Sequence, residues 1–187
     1  MLRILALALF SAGWLPVFLL RSERFSERRK VAEPEERRAM LNNALAMAVH
    51  VTLSEIALRT AEPEALPAMR LVIGMLIFLV GLAFWILARH TLVAYGRLLD
   101  PAVPPTAVVT QGPFAIVRHP LALGMVILAL GPAVAAATPL TWATFATAFV
   151  ALARRCVLEE GDLHAIFGTA YERYTDATPH RLVPYVW

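Results

Sequence analysis

Five apolar stretches, separated by arginine-rich connections, constrain this chain more than any other feature. They run over Leu2–Leu20, Ala39–Leu58, Leu71–Ala88, Leu121–Ala137 and Pro139–Ala153. A hydrocarbon core about 30 Å thick takes roughly 17–25 helical residues, so the last two stretches, joined at a tight Thr138-Pro139 turn, are short but workable. Backbone polar groups in lipid must be satisfied within the segment, which makes each stretch a helix, and nothing alternates with the period of two that a barrel requires. Composition agrees: 59% of the residues are hydrophobic and 17% charged, against about 45–50% and about 25% in soluble domains. Mean hydropathy is +0.63. That balance excludes an ordinary soluble enzyme, a disordered chain and a collagen-like fibre.

Basic residues set the expected orientation. Arg21, Arg24, Arg28, Arg29, Lys30, Arg37 and Arg38 lie between stretches one and two; Arg89, Arg97 and Arg118 lie between three and four; Arg154, Arg155, Arg173 and Arg181 follow five. Only Arg3, Arg59 and Arg70 fall on the opposite side. Positive loops stay in the cytoplasm, so the N-terminus is expected outside and the C-terminus inside. The first stretch lacks a small-residue cleavage site and runs directly into Arg21-Ser22-Glu23-Arg24, which reads as a first span rather than a signal peptide. The expected fold is therefore all-α: a polytopic transmembrane bundle of about five spans with a cytosolic C-terminal amphipathic segment. Residues 1–68 form an N-terminal membrane region of two spans and a charged linker, and residues 69–187 form the core.

The second span carries Asn42, Asn43, His50 and Glu55. Polar side chains in a membrane turn toward the bundle interior, and His50 reads as an interhelical hydrogen-bonding residue. The segment Arg21–Arg38 is either a helix on the inner membrane surface or a solvated linker; its interleaved glutamates break up the basic patch, so no nucleic-acid site is needed to explain it. Cys156 is the only cysteine, so no internal disulfide forms, and a buried, inert thiol is expected.

Polar chemistry concentrates in two clusters on the expected cytosolic side. In the first, Pro120 occupies a position suited to the first residue of a helix, which places Arg118 and His119 at its positive end, where carboxylates are attracted. Anchoring at the membrane interface is the other reading of these two residues. The second cluster, Arg154 to Glu160, leads into Leu163, Ile166, Phe167, Tyr171 and Tyr174, an amphipathic helical pattern interrupted by Gly168. Arg155 and Glu159, four apart, meet on one helix face. No phosphate loop, Cys-x-x-Cys pair or His-Glu-x-x-His motif occurs, and five scattered histidines propose no metal site.

Taken together, Thr110-Gln111-Gly112-Pro113-Phe114-x-x-Val117-Arg118-His119-Pro120-x-x-x-Gly124, then Glu159-Glu160-x-x-Leu163-x-x-x-Phe167-Gly168-x-x-Tyr171-x-x-Tyr174, then Thr178-Pro179-x-x-Leu182-x-Pro184, resemble the integral-membrane isoprenylcysteine carboxyl methyltransferase and phospholipid methyltransferase superfamily. The resemblance spans roughly residues 70–185. It implies S-adenosylmethionine as cofactor, bound on the cytosolic side by positions matching Thr106, Ala107, Val108, Val109, Phe114, His119, Pro120, Leu121, Ala122 and Glu159, with Arg118 beside them. Arg155 matches a position associated with the methyl-accepting substrate. The implied partners are the lipid bilayer and a lipid-like or small apolar acceptor entering sideways between helices: an isoprenylcysteine carboxylate, a phospholipid amine or a small thiol. No nucleic acid or metal is implied.

Ala122 stands where the superfamily usually has tyrosine, and Phe114 replaces another common tyrosine. Either the substrate fills the space at Ala122 or cofactor geometry is loosened there, and the second case motivates an alternative: a catalytically degenerate membrane scaffold or subunit. Methyl transfer from a sulfonium is an in-line displacement in which positioning and water exclusion supply much of the rate, so no catalytic base is assigned.

Overall fold

Prolines open three of the helices, because a fixed φ suits the first helical residue and the missing N–H has no intrahelical partner there. The computed structural model describes residues 1–31, 34–62, 66–96 and 107–187, with side chains placed outside 18–31, 36 and 95–96. Among the described residues the order is α1 (Leu2–Val31), α2 (Pro34–Thr60), α3 (Ala68–Gly96), a 3-10 turn over Gly112–Ala115, α4 (Pro120–Ala136), α5 (Pro139–Phe167) and α6 (Thr169–Ala177), with no strand. The all-helical expectation holds. Among the described residues two helical stretches, Arg37–Thr60 and Ala68–Ala94, are long and apolar enough to cross a membrane, and shorter apolar ones cover Leu2–Val17 and Pro120–Ala136.

Two boundaries differ from the sequence reading. The charged segment after Leu20 is helical rather than an irregular linker as far as Val31, where α1 ends, and from Pro34 it belongs to α2; residues 32–33 lie outside the described residues. Likewise α5 does not end at Ala153. It is one helix of 29 residues, about 43 Å at 1.5 Å per residue, and it carries Arg155, Cys156, Glu159 and Glu160 well beyond its apolar half. Nothing in that stretch breaks a helix until Gly168, whose φ of +50° separates α5 from α6.

The turn into α5 forms where expected. Ala137 adopts φ +50°, and Thr138 caps α5 in a capping box: the Thr141 N–H donates to Thr138 Oγ1 and the Thr138 N–H donates to Thr141 Oγ1, each at 3.1 Å. The resulting α4–α5 hairpin packs α4 against α3 at backbone distance. A Cβ on Gly74 would lie 2.7 Å from the Gly131 carbonyl oxygen, and one on Gly81 would lie 2.5 Å from the Leu128 nitrogen. Small residues let membrane helices approach this closely, replacing the hydrophobic drive that lipid does not supply. On the same face of α3, Phe78 lies between Gly74 and Gly81, and its ring meets Phe10 and Trp14 of α1 edge-on at 5.1 and 6.0 Å.

The polar side chains of α2 turn inward in part: Asn42, expected inside, is exposed, because it is adjacent to Asn43 and so points about 100° away from it around the helix. Asn43, His50 and Ser54 are fully buried. His50 Nε2 lies 2.8 Å from the Ala129 carbonyl oxygen of α4, and Nδ1 lies 3.0 Å from Thr144 Oγ1 of α5. In the Nε2–H tautomer the ring donates to the carbonyl, and Nδ1 shares the single Thr144 hydroxyl proton with the Thr141 carbonyl oxygen, 3.1 Å from that hydroxyl. One ring thus fixes the register of three helices. His50→Leu is expected to lower stability by about 1–2 kcal/mol, read as an earlier transition in detergent unfolding, with Thr144→Val giving a smaller shift. An unchanged transition in both would remove this role.

Candidate functional site

From the apolar half of α5 onward, its buried face repeats every fourth residue: Ala148, Leu152, Cys156 and Glu160. That spacing carries a carboxylate, only 7% exposed, into the space under the N-terminus of α4. An isolated buried carboxylate is too costly to keep charged, so it must be paired. Arg118 Nε lies 2.8 Å from Glu160 Oε1 and His119 Nε2 3.4 Å from the same oxygen. Arg181 closes on Oε2 with Nε at 2.8 Å and a terminal nitrogen at 2.7 Å.

Backbone pairing brings these cations together. After α6 the chain returns so that the Arg118 N–H donates to the His180 carbonyl at 2.9 Å and the His119 N–H donates to the Arg181 carbonyl at 3.0 Å. Gly112, at φ +58°, turns the chain into the 3-10 segment against Thr91, whose Oγ1 would lie 3.2 Å from an added Cβ. There Pro113 and Phe114 are buried, and the Tyr174 hydroxyl donates to the Phe114 carbonyl at 2.8 Å, latching α6 to this segment.

Charge states follow from the surroundings. Burial opposes ionisation of Glu160, but His119, Arg181 and Arg118 outweigh it and hold its pKa down at about 2. Burial likewise opposes protonation of His119, yet contacts with Cys156 and Glu160 and the charge of Glu159 push it up to about 10. Burial raises the Tyr171 and Tyr174 phenols well above the usual range, so both stay protonated.

These shifts fix a pH dependence. The His119 contribution is complete below its ordinary 6.5 and fades as pH rises through about 10. The Glu160 contribution is complete above its ordinary 4.5 and fades as pH falls through about 2. Unfolding midpoints are therefore expected to be highest between these two ordinary values and to decline on the alkaline side, a decline that His119→Gln flattens.

With His119 protonated, three cations face one buried carboxylate, an excess of positive charge suited to a second anionic group. Several buried polar atoms at this place also have no aligned hydrogen bond: Arg118 Nε, His119 Nε2, Glu160 Oε1 and the Tyr171 hydroxyl. The site thus offers donors, an acceptor and net positive charge to a ligand that is itself mixed in charge.

Of the residues singled out from sequence, Arg118 and His119 stand at this centre, and Pro120, buried, opens α4 directly after them. Val109 and Phe114 are buried close along the chain, Val108 is half-buried and Ala107 is exposed, while Thr106 lies outside the described residues. Leu121 and Ala122 pack against the apolar core. Glu159 stands beside the centre rather than in it: it is half-buried, and Arg155 lies 3.8 Å away on the same helix face. Glu160, Arg181 and Tyr171 were not singled out as site residues. The four-residue repeat leading to Glu160 is readable in the sequence. Arg181 carries no local signal, because it reaches the site by a long-range backbone pairing.

Residues 69–170, more than half of the chain, match the family model described as phospholipid methyltransferase. The match contains Arg118, His119, Arg155, Glu159 and Glu160 and stops just before Tyr171. No curated protein matches the chain.

Proposed function

The chain belongs to the phospholipid methyltransferase family of integral-membrane methyltransferases, and on that premise we propose that it moves a methyl group from S-adenosylmethionine to a lipid-like or small apolar acceptor at the cytosolic face of a membrane. The observation that carries this reading is the buried Glu160 carboxylate held among Arg118, His119 and Arg181. The cofactor bears a carboxylate, an amine and a sulfonium. Arg118, His119 and Arg181 suit the first, and Glu160, with Glu159 one residue away, suits the cationic groups. The unpaired Tyr171 hydroxyl adds a donor. When bound, the cofactor supplies an activated methyl group; the chain's own part is to orient it and exclude water.

Arg155 is a candidate to orient an anionic acceptor, since its partner Glu159 lies at the long distance of 3.8 Å. For the topology we propose the five spans and the inside C-terminus of the sequence reading. Arg118, Arg154, Arg155, Arg173 and Arg181 all lie in or after the connection that precedes α4 or beyond the apolar half of α5, in keeping with a cytosolic location. The scaffold alternative has no structural observation in its favour, because Ala122 packs against the core without disturbing the charged cluster.

The test is transfer of labelled methyl from S-adenosylmethionine into a lipid extract by the purified protein in nanodiscs. Label appearing in an organic-soluble product, and absent with Glu160→Gln, is the expected outcome. Failure of folded protein to label lipid extracts, prenylcysteine and small thiols alike would end the enzyme reading.

A further inference from the structure

We infer that the turn Leu182–Trp187 is a membrane-interface wedge, an aromatic knob that enters the headgroup layer beside the N-terminus of α4 while its root supplies Arg181 to the charged site. The inference rests on the reading that α4 spans the bilayer.

The level of the turn follows from backbone pairing. His180 and Arg181 accept hydrogen bonds from the N–H groups of Arg118 and His119, the two residues directly before α4. With 17 residues, α4 is about 25 Å long, little shorter than the roughly 30 Å hydrocarbon core. Its first residue therefore lies at the edge of the hydrocarbon, and the turn that continues from Arg181 lies at headgroup level.

The turn is built to present side chains there. Leu182 is fully buried and roots it, whereas Tyr185 is 91% and Val186 79% exposed. Its backbone is closed on itself: the Leu182 and Val183 N–H groups donate to the Trp187 carbonyl at 2.9 and 3.0 Å, and the Trp187 N–H donates to the Val183 carbonyl at 3.0 Å. Tyr185 holds φ +63°, uncommon for an aromatic residue, and its N–H donates to His180 Nδ1 at 3.2 Å. The Tyr185 ring also tilts against His180 at 5.0 Å between centroids, so the loop holds tyrosine and valine outward in a fixed, exposed arrangement. Tyrosine and tryptophan favour the bilayer interface, where an apolar ring and a polar handle are both satisfied.

The same turn reaches the site. The Arg181 guanidinium lies 5.0 Å from the centroid of the Trp187 ring while it pairs with Glu160. Seating the knob in lipid thus fixes the platform on which a site cation rests.

The test uses the full chain in phosphatidylcholine–phosphatidylglycerol vesicles, with Val186→Cys carrying a thiol-linked environment-sensitive fluorophore. Cys156, 1% exposed, gives the background to be measured on unsubstituted protein. Ala146→Cys, at an exposed position in the apolar half of α5, reports whether the bundle sits in the bilayer. The expected result is blue-shifted emission at position 186, quenched more by nitroxides near the lipid headgroup than by deep nitroxides or aqueous iodide, with the probe at 146 quenched by deep nitroxides. Tyr185→Cys repeats the reading at a second position. Iodide quenching at 186 without lipid quenching, while 146 responds to lipid, overturns the wedge and leaves the membrane reading standing. Lipid quenching at neither position overturns both. Protection of 186 from lipid and iodide alike means that protein covers the knob, and also overturns the inference.

Discussion

Glu160→Gln is expected to abolish measurable methyl transfer and to destabilise the protein by about 3–5 kcal/mol, the cost of breaking a buried ion pair by removing one partner. The glutamine is nearly isosteric, so the loss comes from charge. Arg118, His119 and Arg181 all converge on this one carboxylate, and without it their repulsion is uncompensated in a poorly solvated place. His119 would then lose one of the partners, beside Cys156 and Glu159, that favour its protonated form, and the segment bearing Arg181 would lose its anchor to α5. A decrease in transfer of roughly 100-fold corresponds to about 2.7 kcal/mol of transition-state stabilisation, so activity is compared per folded molecule. Glu159→Gln is the informative contrast. That carboxylate is half-buried with Arg155 at 3.8 Å, and its removal should cost under about 1 kcal/mol of stability. Denaturation in detergent and labelled-methyl transfer, run on both variants, check the pair of expectations. Equal effects of the two substitutions would place the charge centre elsewhere.

The second large effect is expected at the α3–α4 contact. A Cβ at Gly81 falls 2.5 Å from the Leu128 nitrogen and 2.9 Å from the Ile127 carbonyl carbon. These are backbone atoms and cannot rotate away, so relief requires the helices to part. Gly81→Leu is therefore expected to cost at least about 3 kcal/mol, the upper end for overpacking, and to lower the yield of folded protein sharply. Gly161→Ala serves as the control: an added Cβ there meets nothing within 4 Å, and the change should stabilise α5 by about 0.5–1 kcal/mol. Thermal aggregation in detergent measures both. Tolerance of Gly81→Leu would show that the close helix approach is not what holds the hairpin to α3.

How much of this was legible in the sequence varies by physical cause. The helices were, since apolar runs punctuated by prolines leave few alternatives in a chain of this composition. The inward turn of Asn43 and His50 was too, since both would be costly in lipid, whereas the exposure of neighbouring Asn42 was not, because only helix phase separates the two asparagines. Helix lengths were not: the switch from apolar to charged at Ala153 reads as an end, yet helix propensity and i,i+4 pairs such as Arg155–Glu159 carry α5 onward to Gly168. Arg118 and His119 could be found from their position before Pro120. Choosing between Glu159 and Glu160 required helix phase, since adjacent residues point about 100° apart, and only the four-residue repeat from Ala148 shows which one faces inward. Arg181 depended on a pairing between segments some sixty residues apart, which no local pattern encodes. The resemblance supplied the reaction class, whereas the charge inventory that makes the site suited to the cofactor came from the fold.

The most direct measurement is calorimetric titration of S-adenosylmethionine into the detergent-purified full chain, repeated in lipid nanodiscs, for the unsubstituted protein, Glu159→Gln and Glu160→Gln. Saturable binding to the unsubstituted protein, retained at least in part by Glu159→Gln and lost in Glu160→Gln, is expected. Folded protein that binds no cofactor in either medium, or Glu160→Gln that binds it as tightly as the unsubstituted chain, would contradict the assignment of the Glu160 cluster as the cofactor site.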